Sequence, residues 1–157
     1  MISILVAGAV AMVLSFALTP FYIKVLVRKQ YGQFVRDDGP TSHSIKRGTP
    51  TMGGVMIILA TIVGYFAGHL AGFNLPTVSG YLALFLMVGL GFLGFLDDFS
   101  KITKKQSLGL SPKAKLFGQG LIGTVFAILA LQFPNSEGST PASTYISFVR
   151  DLPWLNL

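Results

Sequence analysis

The sequence has 157 residues, of which 52% are hydrophobic and 11% are charged, and it contains no cysteine. Such an apolar composition excludes an ordinary soluble domain, and the absence of cysteine excludes disulfides and thiolate metal ligands. The net charge of +6 is carried by short connections beside membrane-length segments, so we expect a lipid bilayer and no nucleic acid as partner.

Four apolar segments are long enough to cross the membrane as helices, which takes roughly 17 to 25 residues. They run over 2–23, 52–71, 79–96 and 114–134. The sequence therefore predicts an all-α fold, a polytopic transmembrane helix bundle with four membrane helices, and residues 1–157 form a single transmembrane region.

The basic residues predict how this bundle lies in the membrane. All but Arg150 fall in, or border, the connections 24–51 and 97–113. The positive-inside rule places both connections in the cytoplasm and both termini on the external side. No basic residue precedes the first segment, so we expect it to remain as an uncleaved membrane helix rather than a signal peptide.

The first connection ends in a pattern that is typical of a helix start. A hydroxyl at Thr49 followed by Pro50 predicts that the second helix begins near Thr51, with Gly53 and Gly54 in its first turn.

Free backbone amides at the N-terminus of the second helix, beside Lys46 and Arg47, would form an anion-binding site. Simple helix capping with positive-inside lysines explains the same residues equally well. His43 has no second ligand at metal-binding spacing, which favours a structural or surface histidine.

Within the second segment, Gly64 and Gly68 predict a face of small residues for close helix packing. The third segment ends in adjacent carboxylates, Asp97 and Asp98. Acidic residues so near hydrocarbon are costly and usually functional. Their expected position at a helix C-terminus makes a nearby cation necessary, and the two candidates are Lys101 and a divalent metal.

Adjacent helical positions differ by about 100°, which favours different roles for the two aspartates over one shared clamp. A solvated pair without chemistry is the alternative. The second connection repeats the helix-start pattern at Ser111 and Pro112. Lys113 and Lys115 then lie at the positive end of the fourth helix, which indicates an anion between them or ordinary positive-inside lysines.

Three motifs together resemble one enzyme family. They are DDGPTSHSIKRGTPTMGG at 37–54, FLDDFSK at 95–101 and GLSPKAKLFGQ at 109–119. They resemble the polyprenyl-phosphate hexosamine-1-phosphate transferases, in the branch that transfers phospho-muramoyl-pentapeptide. The resemblance runs over essentially the whole chain, which would be roughly the N-terminal half of a larger enzyme.

The resemblance implies a Mg²⁺-dependent reaction at the cytoplasmic face of the bacterial plasma membrane. Undecaprenyl phosphate would attack UDP-MurNAc-pentapeptide and release UMP, which forms the first lipid-linked intermediate of peptidoglycan synthesis. The resemblance also implies homodimeric assembly, although the sequence itself identifies no interface.

The same resemblance implies roles for individual residues. Asp97 and Asp98 match a pair assigned either to metal binding or to deprotonating the lipid phosphate. Lys46 and Thr51 match positions that line the nucleotide-sugar cleft, and Lys113 matches a lysine near the phosphates. His43 and Lys101 complete the set of substrate-binding candidates.

An Asn/Asp-rich loop, a further metal-binding aspartate and a histidine-containing loop of the family would lie beyond residue 157. We therefore expect residues 1–157 alone to be inactive. The alternatives are a sister transferase that uses another UDP-N-acetylhexosamine, a transporter or channel fragment, and a structural membrane subunit. The four segments contain no carboxylates at mid-membrane depth, which disfavours an ion path.

Overall fold

The computed structural model describes residues 1–31, 50–106, 108–134, 138 and 140–142. Over these residues it is all-helical, and each of its four α-helices is long and apolar enough to cross a membrane. The helices are α1, Ile2–Arg28; α2, Gly54–Ala71; α3, Val78–Lys104; and α4, Pro112–Gln132. The prediction of an all-helical fold with four membrane-length helices is thereby confirmed for the described residues.

Small residues allow α1 and α2 to pack with their backbones in near contact. A Cβ added to Gly64 would lie 2.6 Å from the carbonyl oxygen of Ala7 and 2.8 Å from Ala11 Cβ. One added to Gly68 would lie 2.6 Å from the carbonyl oxygen of Ser3. The packing role predicted for these two glycines is confirmed, and it follows from the spacing of four residues on both helices.

The start of α2 differs from the prediction. The helix begins at Gly54 with Gly53 as its N-cap, because Met52 adopts a left-handed backbone conformation with φ of 71°. Thr51 and Met52 therefore precede the helix rather than opening it. The predicted N-cap, Thr49, lies outside the described residues.

The third helix is longer than predicted. It runs to Lys104 instead of ending at residue 96, so Asp97 and Asp98 lie about two turns inside it. The prediction that the helix C-terminus repels these two carboxylates was wrong, because that repulsion is confined to the last turn of a helix. The continuation has a local cause, because the four-residue spacing of Asp97 and Lys101 favours a helix. Similarly, α1 continues past residue 23 to Arg28.

The start of α4 agrees with the prediction. The Ser111 side chain accepts a hydrogen bond from the Ala114 N–H at 3.3 Å, and Pro112 is the first helical residue. Because α3 continues to Lys104, the connection to α4 is shorter than the predicted 97–113. This tight return brings the N-terminus of α4 against the side of α3, next to Asp97.

Candidate functional site

The carboxylate of Asp97 joins α3 to the beginning of α4. Its Oδ1 accepts a hydrogen bond from the Leu110 N–H at 2.7 Å and lies 3.0 Å from the ammonium of Lys115. Its Oδ2 lies 2.7 Å from the ammonium of Lys101. Only 13% of the side chain is exposed. Asp97 is thus a largely desolvated charge with two cations and one backbone donor around it, which is the compensation such a carboxylate requires.

The loop before α4 is shaped to admit this carboxylate. A Cβ on Gly109 would lie 2.6 Å from Asp97 Cγ and 2.7 Å from the Asp97 carbonyl oxygen. Real carbon atoms do not approach so closely without a shift of the backbone. Glycine at 109 therefore permits the Leu110 N–H to reach Asp97.

The neighbouring aspartate faces a different part of the molecule. Asp98 Oδ1 lies 3.0 Å from the ammonium of Lys101, and its Oδ2 accepts a long hydrogen bond of 3.3 Å from the Met52 N–H. Its side chain is 29% exposed, more than twice the fraction of Asp97. Asp98 thus connects α3 to the segment that precedes α2.

The segment that precedes α2 also contacts the residue that follows the end of α1. The Thr51 N–H donates to the carbonyl oxygen of Tyr31, which follows α1, and the N···O distance is 3.3 Å. The N–H of Met52, whose backbone is left-handed, donates to Asp98 Oδ2. Among the described residues, the Thr51 Oγ1 atom is buried and has no hydrogen-bond partner. A buried hydroxyl without a partner is a polar group that a ligand could satisfy.

The structure brings Asp97, Asp98 and Lys101 together, and Thr51 is the residue before Met52, whose N–H contacts Asp98. Lys113 is exposed on the first turn of α4, close in sequence to this site. The remaining predicted residues, His43 and Lys46, lie outside the described residues. The cation expected beside the aspartates is present as Lys101, which pairs with both.

Sequence reasoning missed the pairing of Lys115 with Asp97 and the roles of Gly109 and Met52. Lys115 was noted as a cation at the positive end of α4, but the spacing gave no reason to pair it with an aspartate on another helix. Gly109 precedes the N-cap of α4, and a glycine at such a point is a usable sign of close backbone approach.

The site has some, but not all, of the groups that Mg²⁺ would need. In the part of the chain that the structure describes, no three His, Cys, Asp or Glu side chains form a metal cluster. Mg²⁺ is usually held by one or two carboxylates and by substrate phosphates rather than by a protein cage. Asp98, the more exposed of the two carboxylates, is compatible with that mode.

The comparisons with known proteins agree on one family. Residues 46–58 match phospho-N-acetylmuramoyl-pentapeptide-transferase signature 1. Proteins with that name are similar to the chain: 64% identity in Kineococcus radiotolerans, 58% in Beutenbergia cavernae and 56% in Arthrobacter sp. strain FB24. The alignments cover 96%, 96% and 100% of the chain but 42%, 42% and 44% of these relatives. The chain thus spans less than half of their length, and no solved structure matches it.

Proposed function

We propose that the chain, which is similar over nearly its whole length to the phospho-N-acetylmuramoyl-pentapeptide transferases, forms part of an enzyme that transfers phospho-MurNAc-pentapeptide. The donor is UDP-MurNAc-pentapeptide, and the acceptor is undecaprenyl phosphate. An oxygen of the lipid phosphate attacks the β-phosphorus of the donor. The bond from that phosphorus to the leaving UMP breaks, and the first lipid-linked intermediate of peptidoglycan synthesis forms.

The observation that carries this proposal is the cluster of Asp97, Asp98, Lys101 and Lys115 where α3 meets the starts of α2 and α4. Phosphoryl transfer requires positioning and charge neutralisation more than covalent chemistry from the protein. Ammonium groups and the free amides at a helix N-terminus bind phosphate oxygens. The cluster supplies the ammonium groups of Lys101 and Lys115, and Lys113 on the first turn of α4 adds a further cation.

Asp97 and Asp98 are the proposed carboxylates for Mg²⁺. When bound, Mg²⁺ neutralises the charge that develops on the transferring phosphate. The lipid phosphate is already largely ionised at pH 7, since a second phosphate pKa is about 6. A dedicated base is therefore not required, and we assign electrostatic roles to both aspartates.

The proposed setting is the bacterial plasma membrane, with both termini outside and the cluster facing the cytoplasm. Its support is the sorting of basic residues beside the membrane helices. Lys46 and His43 are proposed to bind the nucleotide-sugar together with Thr51 and Lys101, and the complete protein is proposed to act as a homodimer. Residues 1–157 alone are proposed to be inactive, because other family residues are needed to complete the cleft.

A donor panel tests the proposal against its nearest alternative, a sister transferase. The complete purified protein is given undecaprenyl phosphate with either UDP-MurNAc-pentapeptide or UDP-GlcNAc, and UMP release is measured with Mg²⁺ and after chelation. We expect release with the muramoyl donor only, and only with Mg²⁺. Release with UDP-GlcNAc instead would identify a sister transferase, and release by residues 1–157 alone would contradict the proposed inactivity.

A further inference from the structure

We propose that the groove between α2 and α3 is the docking site of one further membrane helix, which the complete protein supplies from the part that follows residue 157. The inference goes beyond the proposed reaction, because it concerns how the membrane bundle is assembled around the site. It rests on the spacing of large apolar side chains along both walls of the groove and on the shape of the groove.

The wall formed by α3 carries a seam of large side chains along most of its length. All five aromatic residues of α3 lie on this seam, together with one valine: Tyr81, Phe85, Val88, Phe92, Phe95 and Phe99. Their spacing alternates between four and three residues, which is the heptad pattern of helices that pack side by side. From residue 81 to residue 99 the seam is about 27 Å long, at about 1.5 Å per residue. This is close to the hydrocarbon thickness of about 30 Å that a membrane helix crosses.

The α3 seam has no cover among the described residues. Five of its side chains are exposed, with Phe92 at 59%, and Phe95 is half-buried. Anchoring at the membrane surface explains aromatic residues at the ends of a membrane helix, but Phe85 and Phe92 lie in its middle. A lipid-facing surface needs only apolar side chains and imposes no spacing on them. The pattern therefore favours a helix as the partner of the seam over lipid chains.

The wall formed by α2 repeats the pattern. Exposed side chains with the same alternation of four and three residues run along it: Leu59, Val63, Phe66 and Leu70. The ring centroids of Phe66 and Tyr81 are 6.4 Å apart, so the two seams meet at one end of the groove. Farther along, Ile62 of α2 lines the groove together with Phe85 and Phe92 of α3. Both walls thus present heptad-spaced side chains to the same space.

The shape of the groove identifies a single helix rather than a second copy of the chain. The two helices touch where Ile58 packs against Gly91 and Tyr65 packs against Gly80. Both glycines lie about a quarter-turn around α3 from the seam, so the seam is one side of a concave groove. A two-fold interface would place this surface against itself, and two concave surfaces leave a void. One convex helix fills the groove and contacts both walls.

The stretches of residues 1–157 outside the four helices are poor candidates for this helix. Residues 143–157 number 15, fewer than the roughly 17 to 25 that cross a membrane. Residues 32–49 contain five charged side chains: Arg36, Asp37, Asp38, Lys46 and Arg47. The alignments cover only 42% to 44% of the similar transferases, which therefore have more chain beyond the aligned region than within it.

The groove extends to the candidate site. Phe99, the last residue of the α3 seam, follows Asp98 directly. A helix that fills the groove over the length of the seam consequently ends at the level of the cluster formed by Asp97, Asp98 and Lys101. The proposed helix would thus bring the part of the chain connected to its end beside this cluster.

The test is site-specific photocrosslinking of the complete protein in its membrane. The photoreactive residue p-benzoylphenylalanine replaces Phe85, Phe92 or Phe99 in turn, and mass spectrometry identifies the crosslinked peptides. All three probes should label one peptide that follows residue 157, at sites about seven residues apart. Leu90 is exposed on the opposite face of α3, and a probe at this control position should not label that peptide. Labelling of lipid only, a crosslinked band of dimer size, or labelling of the same peptide from Leu90 would overturn the inference.

Thermal unfolding of the complete purified protein supplies a second readout. Phe92→Ala removes a large side chain from the proposed interface and should lower Tm by several degrees. Phe73→Ala is the control, because Phe73 is 96% exposed in the link between α2 and α3, and it should leave Tm unchanged. A wild-type Tm for Phe92→Ala would contradict helix docking on the seam. Neither readout involves UMP release, so a failure of this inference is distinguishable from a failure of the proposed function.

Discussion

One lysine neutralises both aspartates: the ammonium of Lys101 lies 2.7 Å from Asp97 Oδ2 and 3.0 Å from Asp98 Oδ1. Two carboxylates on consecutive residues near hydrocarbon repel each other, and a shared ammonium one turn along the same helix removes that cost locally. Lys101 consequently occupies the position, and supplies the positive charge, that a divalent cation at this pair would otherwise provide.

This arrangement predicts that Lys101 competes with Mg²⁺. Lys101→Met should lower the Mg²⁺ concentration for a half-maximal Tm rise several-fold, because the carboxylate pair gains net negative charge. Turnover should fall at the same time if the ammonium also contacts phosphate. Lys104→Met is the control, since it removes an equal charge from an exposed position. A weaker Mg²⁺ response in Lys101→Met than in this control would contradict the competition.

Adding even one methyl group at position 109, as in Gly109→Ala, should destabilise the protein. In Gly109→Ala the new Cβ meets Asp97 Cγ at 2.6 Å, so the loop must move and the Leu110 hydrogen bond must lengthen or break. We expect a Tm loss at least equal to that of Asp97→Asn. Gly120→Ala in α4 has open space around its Cβ and serves as the control. A wild-type Tm for Gly109→Ala would show that this close approach is not required.

The α1 and α2 pair gives a prediction independent of catalysis. Gly64→Ala places a Cβ 2.6 Å from the Ala7 carbonyl oxygen, between two backbones that cannot both stay in place. Overpacking of this kind costs about 1 to 3 kcal/mol, which thermal unfolding of the purified protein would detect. Gly94→Ala, in an open part of α3, should be neutral or slightly stabilising because alanine favours helices. Equal behaviour of the two variants would contradict the packing of α1 on α2.

Features encoded in short stretches of sequence were predictable. The four helices followed from hydropathy, the α4 start from Ser111 and Pro112, and the close packing from Gly64 and Gly68. Each of these signals arises within a few residues of the feature. The need for a cation beside Asp97 and Asp98 was also predictable, because charges at the edge of an apolar segment are costly without a partner, and Lys101 pairs with both.

Features that depend on contacts between distant residues were not predictable. Lys115 pairs with Asp97 only because the connection after α3 folds α4 back against it. The left-handed Met52, which moved the start of α2, forms a contact with Asp98 that lies 46 residues away in sequence. The two aspartates differ because their tertiary neighbours differ, and no spacing rule contains that information.

The most direct test of the central claim is UMP release by the complete protein carrying Asp98→Asn. The account predicts that turnover falls about a hundredfold or more, because one of the two carboxylates proposed to hold Mg²⁺ has lost its charge. Membrane insertion and the metal-free Tm should match the wild type, since Asp98 contributes one weak backbone contact and a shared ion pair. Turnover equal to the wild type, measured in detergent with Mg²⁺ present, would contradict the assignment of phosphoryl transfer to this site.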